Sequence, residues 1–121
     1  MADYQPTAPF IYGDGKDLVV VPVTFDVSVC GDMQAGTIVA KITSSGLYAE
    51  YDDSKSDGRE TAVGILLEDI DDANGDQPYL IAIRGTFYKA KLVGLDANAI
   101  TDLGARTVGV SDSTSEDLLI F

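Results

Sequence analysis

Histidine and tryptophan are absent from this 121-residue chain, cysteine occurs once, and 8 lysines and arginines stand against 20 aspartates and glutamates. Each scarcity excludes something. Without histidine there can be no Ser-His-Asp or Cys-His constellation and no histidine-ligated zinc. With Cys30 alone, no disulfide can form within the chain, so the fold must live on packing or on association with other chains. A lone cysteine beside strand residues reads as a small buried hydrophobe. The formal net charge of −12 repels DNA, RNA and anionic lipid, which argues against a direct nucleic-acid or membrane partner. No apolar run approaches the roughly 20 residues a membrane-spanning helix needs. The opening "MADYQPTAPF" lacks a basic stretch followed by an apolar one, so no secretory signal is expected and the chain should be made in the cytosol.

What is present describes one globular domain. Hydrophobic residues make up 45% of the chain, enough for a single modest core at this length. Residues 1–17 carry Pro6, Pro9, Gly13 and Gly15 without sustained periodicity and read as an extended arm ahead of a β-rich domain over residues 18–121. The arm also holds Tyr4, Phe10, Ile11 and Tyr12, large apolar groups that gain nothing from display to water. They need a surface, either their own domain or another protein.

Beyond the arm, "VTFDVSVC" alternates Val23, Phe25, Val27 and Val29 with polar residues, the period-two pattern of a half-buried strand that Gly31-Asp32 should end. "GTIVAKIT" and "GLYAEYD" flank Ser44-Ser45-Gly46 and predict a hairpin. "TAVGILL" hardly alternates, as a central strand covered on both faces should. "PYLIAIRG" and "TFYKAKLV" follow as two strands with a bulge or sharp bend at Gly85, and their Arg84, Lys89 and Lys91 gather much of the scarce positive charge. The one persuasive helix is "LDANAITDLG", where Asp96 caps, Leu95 staples onto Ile100 and Gly104 stops. "RTVGV" and "EDLLIF", separated by "SDSTS", are the last strands. The expected class is mainly β, with one short helix.

An acidic run, "EDIDDANGD", follows the central strand. A calcium loop would need oxygen ligands at alternate positions, glycine at the sixth and an acid at the twelfth. Counting from Asp72 puts Gln77 sixth and Ile83 twelfth, and counting from Asp71 puts Ala73 third and Asp76 sixth, so neither register fits. Asn74-Gly75 is instead a turn former whose tip the acids solvate, and no metal site is expected. Paired carboxylates act as general acid and base only when one sits in an apolar pocket, which acids on a hydrophilic turn do not offer. "GDGKD" lacks the spacing and following helix of a phosphate loop. A small biotinyl or lipoyl carrier-like module is the alternative class, with Lys41 in "VAKIT" as its lysine, but that lysine belongs at a hairpin tip and Lys41 lies in a strand. A cation-dependent hydrolase fragment is a third, without a constellation to support it. No catalytic residue and no cofactor is expected.

The ordered blocks "AGTIVAKITSSGLYAEYD", "DGRETAVGILLEDIDDANGD", "RGTFYKAKLVGLDANA" and "LLIF", spanning Ala35 to Phe121, resemble the lambda-type phage head decoration, or capsid stabilising, proteins. "DG" followed by "TAVGIL", the "GTFY" strand and the short helix after it carry the likeness through their order and spacing. The lambda-type pattern favours tryptophan near the first block and around the helix, whereas this chain has none and offers Tyr51 and Leu95 nearby. The resemblance implies a non-enzymatic virion protein, a compact β-rich cement protein trimeric at three-fold positions on the outer face of the shell. It also implies the major capsid protein as partner, with an N-terminal arm that orders on binding. Tyr4, Pro6, Pro9, Phe10, Ile11 and Tyr12 are then the expected capsid-binding residues, pairing along an exposed edge with alternate side chains in pockets.

Overall fold

The computed structural model describes residues 10–11, 17–110 and 113–121, the last two stretches including residues 109–110 and 113–117 as backbone only. The chain is mainly β, as expected. Five strands form one antiparallel sheet in the order β1-β5-β4-β2-β3 and three form another in the order β6-β8-β7. The first sheet comprises β1 (Val19–Thr24), β2 (Ile38–Lys41), β3 (Tyr48–Glu50), β4 (Ala62–Leu66) and β5 (Pro78–Arg84). The second comprises β6 (Thr86–Tyr88), β7 (Arg106–Val110) and β8 (Ser113–Ile120).

Strand β4 lies third of five, in the centre, and the core explains its poor alternation. Ile65 belongs to a cluster with Ile38, Ala40, Ala62, Ala82, Phe87 and Leu119. Leu66, one residue on, belongs to a second cluster with Val39, Ile81, Phe25, Met33, Ile70 and Tyr79. The five-stranded sheet is therefore apolar on both faces. One face receives the three-stranded sheet and the helix α2 (Ala97–Asp102), through Phe87, Leu119 and Ala99. Covering a central strand on both sides requires continuous hydrophobicity, which is what "AVGIL" supplies.

Gly85 marks the passage between sheets. Strand β5 ends at Arg84 and β6 begins at Thr86, with Gly85 at φ +154° and bonded in both directions to Phe121. A Cβ there would lie 2.8 Å from Leu18 Cδ1 and 2.9 Å from Phe87 Cζ, so both the backbone angle and the space favour glycine. The predicted bend is thus a change of sheet.

The hairpin stands as read: Ala40 faces Ala49 and Lys41 faces Tyr48. Asp96 accepts from Ala99 N at 2.8 Å and caps α2, while Leu95 and Ile100 pack on the core. Three boundaries differ. The alternation of "VTFDVSVC" does not carry a strand to Val29, because β1 ends at Thr24 and Val27–Cys30 forms a helical turn, α1. Asp26 caps it by accepting from Ser28 N at 3.1 Å, and Gly31 closes it at φ +61°. A local cap outweighed the period-two pattern. "TFYKAKLV" stays extended only to Tyr88 before a 3-10 turn over Lys89–Lys91. Strand β8 begins at Ser113, inside the expected connection "SDSTS".

Candidate functional site

Three regions bear on function: the segment expected to form an arm, the acidic end of the five-stranded sheet, and the cleft beside Cys30. In the first, Phe10 and Ile11 are buried, 3% and 5% exposed. Ile11 bridges Phe87, Tyr88 N donates to Phe10 O at 2.8 Å, and the Phe10 and Phe87 rings stack at 6.4 Å. These two residues extend the three-stranded sheet beyond β6. Both were expected on a capsid-binding arm; in the structure their side chains are packed in the domain's larger core cluster, together with Leu18. Asp17 is tied to the same sheet, accepting from Thr86 Oγ1. Tyr4, Pro6, Pro9 and Tyr12 lie outside the described residues.

The acidic end is built from separated segments. Its aspartates are exposed and Glu68 is half-buried, and these carboxylates also hold the backbone. Glu68 Oε2 accepts from Leu80 N at 2.7 Å, Asp69 Oδ1 from Ala35 N at 2.8 Å, and Asp71 Oδ1 from Ala73 N at 3.0 Å. Asp76 Oδ1 accepts from Val27 N at 3.0 Å and Asp32 Oδ1 from Asp72 N at 2.9 Å. Turn amides have no ladder partner, and a carboxylate is a strong acceptor for them. Sequence reading placed these acids on a turn but missed the clasps. Only the aspartate before a short apolar stretch, Asp26 before "VSVC", signalled one.

Asp32, Asp71 and Asp72 bring carboxylate oxygens within 4.8 Å of one another, all exposed. The charge of Asp32 foremost, with some desolvation and the charge of Asp71, raises the pKa of Asp72 above the usual carboxylate value. Each offers one oxygen to a shared position, an arrangement that exposed acidic groups commonly adopt without an ion.

Cys30 opens onto a cleft of about 500 Å³ lined also by Asp32, Met33, Gln34, Thr37, Glu50 and Val93. Burial first, then the charge of Glu50, pushes its thiol up to about 11. Such a thiol is a poor nucleophile, consistent with the half-buried packing role read from sequence. Glu50 lies 3.5 Å from Arg59, which is also held by Asp57 at 3.0 Å. Lys41 sits on the hairpin ladder opposite Tyr48, away from the turn, so it does not occupy the place of a carrier lysine.

A two-sheet domain whose carboxylates secure turns and whose cysteine is protonated has the makings of a structural module, one that works through its surfaces. The chain belongs to the family of the bacteriophage lambda head decoration protein D, whose sequence profile matches residues 10–108. No curated protein and no solved structure matches the chain significantly. Membership makes this a phage capsid decoration protein, associated with the capsid and located in the virion. The match begins at Phe10, a residue of the larger core cluster. Tyr51 is buried in the larger core cluster and Leu95 packs against it.

Proposed function

We propose that the protein binds the outer surface of the expanded capsid as trimers at three-fold positions and stabilises the shell against the pressure of the packaged DNA. It would be made in the host cytoplasm and add to the shell after expansion, without catalysing a reaction. The family match over residues 10–108 carries this reading. The physics is linkage. A protein that binds the mature lattice and neither its precursor nor its free subunits stabilises the mature lattice, and three attachments on one trimer gain further through effective concentration.

The capsid-binding arm is proposed to be the sequence ahead of Phe10, with Tyr4, Pro6 and Pro9 as its contacts and Tyr12 at its base. Phe10 and Ile11 support it differently, by fastening the arm's root to the three-stranded sheet. Mixing purified protein with expanded and unexpanded shells of the same virus is the test. Retention by expanded shells, density at the three-fold positions and loss of retention after deletion of residues 1–9 are expected. Equal retention by both shells, or by neither, would refute the reading.

A further inference from the structure

The cleft beside Cys30 is lined by carboxylates and apolar groups, without a lysine or arginine. Asp32 and Glu50 supply the charge, while Met33 and the 38% exposed Val93 supply apolar wall. Glu50 Oε1 is buried and accepts no hydrogen bond, with Arg59 Nη1 standing off at 3.5 Å. Asp32 shares its rim with Asp71 and Asp72, whose carboxylate oxygens lie within 4.8 Å.

The cations nearby do not balance these acids. Arg59 is also held by Asp57, and Lys91, just ahead of Val93, has no carboxylate oxygen within 4.0 Å among the described residues. Cys30 senses the same sign: after burial, the charges of Glu50, Asp26 and Asp76 all push its thiol up. Apolar wall with carboxylates beside it suits a long aliphatic stem that ends in a cation, the stem packing while its head is paired.

Position selects the partner that brings this cation. Phe10, where the proposed arm meets the domain, lies against Gly36, since a Cβ on that glycine would stand 3.2 Å from the Phe10 ring. Gly36 sits between Gln34 and Thr37, both on the cleft wall. Whatever the arm engages on the shell is thereby brought alongside the cleft. A second copy of this chain is a poor source of the cation, because it brings the same net charge of −12.

We infer that the cleft takes a lysine or arginine side chain of the major capsid protein, its stem against Met33 and Val93 and its cationic head at Asp32 and Glu50. This rests on the capsid-binding reading above and adds a second contact to that of the arm.

Cys30, on the cleft wall, reports whether the cleft is filled. Iodoacetamide labelling of the wild-type protein, free and bound to expanded shells, is the first measurement, and shell-bound Cys30 should react about tenfold or more slowly. Val93→Lys then places a competing cation in the cleft from an exposed site whose backbone bonds to Ile38 and Gly36 are kept, with Val93→Leu as control. Shells should retain Val93→Lys about tenfold more weakly than wild type and Val93→Leu equally well, with melting temperatures checking that both fold. Retained protein whose Cys30 reacts at the free rate, or Val93→Lys retained as tightly as wild type, overturns this inference and leaves the capsid-binding reading standing. Protection that appears without shells as protein concentration rises overturns it too, by seating a second copy in the cleft. No retention by expanded shells overturns both.

Discussion

The hydroxyl of Tyr51 donates to Asp96 Oδ1 at 2.8 Å, and the same oxygen accepts from Ala99 N at 2.8 Å. One carboxylate oxygen thus joins the end of the β2–β3 hairpin to the first turn of α2. Burial first, then the hydrogen bond and charge of Asp96, raises the Tyr51 phenol well above its ordinary value. Tyr51→Phe should cost about 1 to 3 kcal/mol in denaturant unfolding, and Asp96→Ala more, since it also uncaps the helix. The phenol is harder to ionise folded than unfolded. Its contribution is therefore complete below the unfolded value of 10.0 and lost as pH rises through the folded one, so wild type should lose stability above about pH 10 more than Tyr51→Phe does.

Phe10→Ala should destabilise the free domain by about 3 to 5 kcal/mol, the cost of emptying a buried aromatic site against Phe87. Tyr4→Ala should leave the melting temperature nearly unchanged and weaken shell retention. Thermal unfolding and shell pull-down of both variants separate the root from the proposed arm.

Gly85→Ala should cost about 1 to 3 kcal/mol, because a side chain there meets Leu18 and Phe87 and the backbone angle is one L-residues avoid. Guanidinium titration would reveal the loss, and an unchanged midpoint would mean the sheets can shift apart without penalty.

Carboxylates in the acidic end should respond differently according to what they hold. Glu68→Ala strands the Leu80 amide and should cost about 1 to 3 kcal/mol. Asp72→Asn should instead match or slightly exceed wild-type stability at pH 7. Its raised folded pKa imposes a cost present above that value and absent below the ordinary 3.8, so any gain should vanish on acidification past it. Calcium or a chelator should barely move the melting temperature, which a specific ion site would raise by mass action.

Cys30 should alkylate about a hundredfold more slowly at pH 8 than a cysteine of ordinary pKa 9.0, because its thiol is pushed up to about 11 and the thiolate is what reacts. Iodoacetamide kinetics on native and denatured protein would check this, with the denatured rate as reference.

Sequence by itself determined whatever depends on near neighbours. Continuous apolar residues at Ala62–Leu66 demanded a strand buried on both sides, Asp96 and Gly104 bracketed a helix, and the order of blocks from Ala35 to Phe121 carried the family. Tertiary structure decided the rest, because it depended on partners far along the chain. Gly85 declared a bend in sequence, but only the placement of Phe87 and Leu119 beneath the first sheet made it a passage between sheets. Asp69 and Asp76 looked like solvated turn residues until Ala35 and Val27 came within hydrogen-bonding reach. Phe10 and Ile11 required burial on composition alone. Which surface would bury them was settled by β6, the strand at the end of the three-stranded sheet, where backbone groups on the side away from β8 and the face of Phe87 offer hydrogen bonds and apolar contact together.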